Sequence, residues 1–134
     1  MIDEIHVSVS SDADIVTARQ KGRALAAQLG FSITDLVMIA TSISELARNI
    51  VLYAKRGEII LGVATDHRGK RGIVVVARDD GPGIRDVKQA MQSGYSTSGS
   101  LGLGLPGVRR LMDDFKIVSE AGKGTIVTAR KWSQ

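Results

Sequence analysis

Asp79-Asp80-Gly81-Pro82-Gly83-Ile84 and Gly102-Leu103-Gly104-Leu105-Pro106-Gly107 are two glycine hooks separated by a polar middle, and the fold can be read outward from them. The first follows the apolar run Ile73 to Ala77, where a strand ends and backbone can come close to a ligand. That strand end aims Asp79. The second runs into the periodic apolar residues Val108, Leu111, Met112 and Phe115, with Pro106 near the first turn, which predicts a glycine loop feeding a helix over about Pro106 to Asp114. Such a helix start attracts anions, because its unpaired N–H groups and the helix dipole both favour negative charge. The segment between the hooks, Gln92-Ser93-Gly94-Tyr95-Ser96-Thr97-Ser98-Gly99-Ser100, has no apolar period and reads as a lid. The expectation is that the first hook holds a nucleobase, the second holds its phosphates, and the middle closes over them.

Upstream, Ile5-His6-Val7-Ser8-Val9 alternates as a half-buried strand does, and Ser11 to Asp14 offers caps for a helix that ends at Gly30. Thr34 and Asp35 open a second helix, running to about Tyr53, whose Leu36, Ile39, Ala40, Ile43, Leu46, Ala47 and Ile50 keep the 3.6-residue period. Glu45 and Asn49 lie one turn apart beside that stripe, at the edge of a cleft. Gly57 to Ala64 and Ile73 to Ala77 form a hairpin around a charged turn, and Phe115 to Glu120 with Thr125 to Lys131 form another around Ala121-Gly122-Lys123-Gly124. The sum is an α+β fold: a two-layer sandwich whose mixed, mostly antiparallel sheet is covered on one face by helices.

With 134 residues, 43% of them hydrophobic and 24% charged, the chain fits one domain spanning 1–134. No apolar run approaches the roughly 20 residues of a membrane span, and Met1-Ile2-Asp3-Glu4 does not open a secretory signal. The absence of cysteine excludes disulfide and thiolate chemistry and fits a cytoplasmic setting. A net charge of +4 invites a nucleic-acid reading, but the basic residues come in twos and threes without interleaved aromatics, so neither nucleic acid nor membrane is expected as a partner.

Each signal has a bland reading when taken alone. Glu45 with Asn49 is the spacing of an ordinary surface pair, and Gly81-Pro82-Gly83 is by default a turn. Gly102-x-Gly104-x-x-Gly107 matches the dinucleotide fingerprint, yet that motif needs a buried strand before it, and Ser96 to Ser100 is polar. His6 and His67 have no neighbours at metal-ligand spacing. Order decides: helical Glu-x-x-x-Asn, strand-borne Asp-x-Gly-x-Gly, polar lid, Gly-x-Gly before a helix, then Gly124-Thr125 on a late strand.

That order resembles the Bergerat-fold (GHKL) ATP-binding family of gyrase B, MutL and the histidine kinases. Within it the chain is most similar to the small bacterial serine-protein kinases of the stressosome switch type. Ile43-Ser44-Glu45-Leu46-Ala47-Arg48-Asn49-Ile50, the first hook, and Gly94-Tyr95-Ser96-Thr97-Ser98 with Leu101 to Asp113 carry the likeness, which covers nearly the whole chain. The resemblance implies ATP and Mg²⁺ as cofactors, with Asp79 accepting from the adenine amine, Gly81 and Gly83 shaping its approach, and Thr125 assisting. It implies Ser98, Gly102, Leu103 and Gly104 around the phosphates, Asn49 as the Mg²⁺ ligand, and Glu45 as the catalytic base. The implied substrate is a serine on a STAS-domain scaffold protein. The implied second partner, engaged after release, is an output protein such as a PP2C-type phosphatase. Two alternatives compete: an anti-sigma-factor serine kinase that sequesters a sigma factor, and a non-catalytic module whose nucleotide gates partner binding. The Leu105 to Arg110 stretch leans toward the stressosome switch kinases, and the presence of Glu45 and Asn49 argues against a non-catalytic module.

Overall fold

A computed structural model describes residues 4–84, 91 and 104–133. In chain order these form β1 (Ile5–Val9), α1 (Asp12–Gln28), α2 (Ile33–Asn49) with a π-helical extension (Ile50–Ala54), β2 (Gly57–Thr65), β3 (Arg71–Asp79), α3 (Gly104–Leu111), β4 (Asp114–Glu120) and β5 (Gly124–Trp132). The sheet order is β1-β2-β3-β5-β4. Among the described residues all four pairings are antiparallel, which corrects the expected mixed sheet to a fully antiparallel one. The reason lies in the last hairpin: it docks through its second strand, so β5 lies beside β3 and β4 is left at the edge.

The strands alternate because one face packs on helices. Val7, Val9, Ile59, Leu61, Ile73, Val75, Ala77, Val127 and Ala129 are buried, and with Ile39, Ile43, Leu46 and Ile50 of α2 they form the core. On the other face Val118 and Ile126 are exposed. The helical stretch Ile33–Ala54 has the length and mean hydropathy to cross a membrane, although Asp35, Glu45 and Arg48 interrupt it, so it contains no continuous apolar run of that length. Its apolar stripe is instead the centre of the core, with Ile39 and Ile43 fully buried.

Helix boundaries follow local chemistry. Ser32, not Thr34 or Asp35, caps α2: its hydroxyl accepts the Asp35 N–H at 3.2 Å. At α1 the capping is reversed, since Asp14 Oδ2 accepts from the Ser10 N–H at 2.9 Å and the Ser11 hydroxyl at 3.2 Å. Gly30, at φ +85°, follows α1 in the left-handed conformation that ends helices. α2 leaves its extension at Lys55, whose φ of +72° is rare for a side chain with a Cβ. α3 stops at Leu111 rather than Asp114, because the Asp113 N–H already bonds the Arg130 carbonyl at 2.8 Å and β4 begins.

Lys131 breaks the apolar pattern of β5. It is buried, and its Nζ donates to the Leu111 carbonyl at the end of α3 at 2.8 Å, with Asp113 and Asp35 carboxylates at 3.9 and 4.0 Å. A cation at a helix C-terminus meets both its orphan carbonyls and its dipole.

Replacing the cap, Ser32→Ala, is expected to lower unfolding free energy by about 1 kcal/mol in urea titration. Ser11→Ala, whose hydroxyl does not cap, should change it by less than about 0.5 kcal/mol. Equal losses would remove Ser32 from that role.

Candidate functional site

The side of α2 beside its buried stripe meets α3, and Glu45 lies in that seam. Its side chain is only 9% exposed. A buried carboxylate needs donors, and among the described residues Glu45 has two: Arg48 Nη1 donates to Oε1 at 2.7 Å, and the Gly104 N–H donates to Oε2 at 3.3 Å. Gly104 is the first residue of α3, at φ +64°. The helix start predicted to hold anions therefore stands against the predicted base. Asn49, one turn further along the same face, is half-buried and closes α2.

The first hook forms at the far end of the sheet. Asp79 is the last residue of β3 and lies opposite Gly57 of β2 and Thr125 of β5. Its Oδ1 accepts the Gly81 N–H at 2.9 Å. Burial pushes the Asp79 carboxyl above its ordinary value, assisted by the neighbouring Asp80 charge, while the Gly81 and Thr125 backbone donors pull it down. A carboxyl shifted upward favours folding below its folded pKa, and that contribution is lost as pH rises through it.

Three glycines let backbones meet here. A Cβ at Gly81 would come within 2.6 Å of the Ala54 Cβ, one at Gly83 within 2.2 Å of the Glu120 carbonyl, and one at Gly124 within 2.1 Å of the Asp79 carbonyl. Gly81 thereby joins the hook to the end of the α2 extension. By helical rise about 13 Å separates Glu45 from Ala54, so a ligand gripped at both places must lie extended along α2.

Ser119 was not singled out by sequence reasoning, yet it organises this end. Its hydroxyl accepts the Ile84 N–H at 2.7 Å, lies 2.7 Å from Thr125 Oγ1, and reaches the Gly124 carbonyl at 3.1 Å. With the Ser119 proton given to Gly124, Thr125 is the donor to Ser119 and keeps lone pairs to accept from a ligand. The Gly122 N–H also donates to the Pro82 carbonyl at 2.7 Å, tying the hook to the β4–β5 turn. A hollow bordered by Asp79, Asp80, Ser119, Lys123, Gly124 and Thr125 lies over these strand ends. The only advance signal for Ser119 was a polar residue interrupting the inward apolar alternation of β4 after Phe115 and Ile117.

The sequence-predicted residues thus fall into two groups that share α2: Asp79, Gly81, Gly83 and Thr125 at the sheet end, and Glu45 with Gly104 at the seam, Asn49 following Glu45 one turn along the helix. Ser98, Gly102, Leu103 and the lid from Gln92 to Ser100 lie outside the described residues.

Known proteins resemble the chain to different depths. Residues 9–131 match the family model described as the histidine kinase-like ATPase domain. The serine/threonine-protein kinase RsbT of Bacillus subtilis (strain 168) is 52% identical over 132 residues, covering 98% of each chain. An anti-sigma F factor of Caldanaerobacter subterraneus subsp. tengcongensis is 31% identical over 118 residues, covering 86% of this chain and 82% of that protein. Among solved structures, the RsbU and RsbW domains of a Mycobacterium tuberculosis protein superpose with a TM-score of 0.64 at 20% identity, over 99% of this chain and 33% of that one. That last likeness is one of fold. The matched span takes in Glu45, Asn49, Asp79, Gly104 and Thr125 together, and on that ground the chain belongs to the histidine kinase-like ATPase domain family.

Proposed function

We propose that this chain is a single kinase domain, 1–134, that transfers the γ-phosphoryl group of ATP to a serine on a STAS-domain scaffold protein. Once released from that partner it binds and activates an output protein such as a PP2C-type phosphatase, in the cytoplasm. The observation that carries the kinase reading is the 3.3 Å contact between Glu45 Oε2 and the Gly104 N–H: it brings a carboxylate to the start of α3, the neighbourhood that a base beside bound phosphates would need. The similarity to RsbT, a serine/threonine-protein kinase, supports a side-chain hydroxyl as acceptor.

The donor set fits the nucleotide and its metal. Asp79 presents a carboxylate to the adenine amine, with Gly81 and Gly83 admitting close backbone and Thr125 beside it. Gly104 offers an N–H to a phosphate oxygen, with Gly102, Leu103 and Ser98 assigned to the same group of contacts. A Mg²⁺ ion would be held by the Asn49 amide oxygen together with phosphate oxygens, a hard-donor set that suits it. The ion supplies charge neutralisation on the phosphates. Glu45 takes the proton of the attacking serine hydroxyl as the new oxygen–phosphorus bond forms; the bond to the β-phosphate oxygen breaks, and ADP leaves.

Incubating the protein with γ-labelled ATP, Mg²⁺ and host lysate should label a serine on a STAS-domain protein. Label on an antagonist recovered with a sigma subunit would instead favour the anti-sigma-factor reading. Glu45→Ala should leave ATP affinity within about threefold and reduce phosphotransfer by roughly 10²- to 10⁴-fold; wild-type transfer would remove Glu45 as the base. Asp79→Asn keeps an oxygen for the Gly81 N–H but turns a donor toward the adenine amine, so calorimetry should show ATP affinity reduced by about 100-fold with the fold intact. Unchanged affinity would refute the adenine assignment.

A further inference from the structure

Arg48 has no role in the reading above, yet it makes the shortest contact of the Glu45 carboxylate. The two residues are one turn apart on α2 with the glutamate N-terminal, the favourable order for a helical ion pair. At 2.7 Å this is a charge-assisted hydrogen bond of the strong kind. The burial is unequal: the Glu45 side chain is 9% exposed and that of Arg48 38%. The guanidinium thus reaches in from the more exposed side to a carboxylate that is largely shielded from solvent.

We propose that Arg48 is a positioning residue for phosphoryl transfer, selecting which oxygen of Glu45 receives the proton. With Oε1 taken by Arg48, the remaining oxygen is Oε2, turned toward Gly104 and the start of α3. The 3.3 Å contact to Gly104 is long for an N–H donor, so it is the one that a serine hydroxyl can supplement or replace. Without Arg48 the Glu45 side chain is free to rotate, and either oxygen or neither faces the acceptor. A misplacement of about 1 Å at such a group is enough to cost roughly 100-fold in rate. Arg48 touches no reacting atom in this account; it acts through Glu45.

The inference rests on Glu45 being the base, and the test separates the two. Arg48→Met keeps the aliphatic stem and removes the charge; Arg48→Lys keeps the charge. Transfer from γ-labelled ATP to the acceptor protein identified with the wild type is followed at saturating ATP and Mg²⁺, alongside calorimetric ATP affinity. Arg48→Met should lower kcat roughly 10- to 100-fold with KM and Kd for ATP within about threefold, and Arg48→Lys should recover most of the loss. In a Glu45→Ala background, Arg48→Met should have no further effect, because the group it positions is gone. An unchanged kcat for Arg48→Met, a parallel loss of ATP affinity, or an undiminished effect in the double variant would overturn the proposal. Should Glu45→Ala itself transfer at the wild-type rate, it is the base assignment that fails. The double variant removes both charges of the pair, so it remains a test even where Arg48→Met alone is unstable.

Discussion

A carboxylate sunk in a helix seam obliges the elements around it to supply donors, and this obligation at Glu45 fixes the upper layer of the molecule. Arg48 answers from the same helix and Gly104, more loosely, from the first residue of α3. The other end of α3 is held in the complementary way, by the buried Lys131 ammonium on the Leu111 carbonyl. An anion at its N-terminus and a cation at its C-terminus both match the dipole. A helix of only eight residues gains little from propensity alone, and these two charged contacts with the burial of Leu105 and Val108 hold it in place.

The opposite end of the site is built from backbone rather than charge. Gly81, Gly83 and Gly124 each face another segment at a distance no Cβ could occupy, which packs the hook against the α2 extension, the β4–β5 turn and the end of β3. Ser119 then satisfies the donors and acceptors that this crowding brings together. Asp79 emerges from the assembly partly buried, beside Asp80, its carboxyl pushed upward. The crowding leaves the Asp79 carboxyl at a strand end that the surrounding backbones hold rigidly.

Much of this was legible beforehand. The 3.6-residue period of α2 placed Glu45 and Asn49 together beside the core stripe, and both hairpins emerged within a few residues of their observed ends because glycine and charged turns mark them. What escaped were contacts between segments far apart in sequence. Lys131 reads as a surface residue until β5 is seen to pass beneath Leu111, and Ser119 has no role until Ile84 and Thr125 are brought to it. The all-antiparallel sheet was missed for the same reason, since strand order depends on how the last hairpin docks.

Local patterns therefore determined the helices, the hairpins and the residue types that carry chemistry, because capping, period and turn propensity act over a few residues. Tertiary structure alone decided that the seam of α2 and α3 buries Glu45, that Arg48 and Gly104 divide its two oxygens, and that the first hook is clamped between three backbones. Those outcomes depend on desolvation and close packing between distant segments, which exist only once the chain has closed on itself.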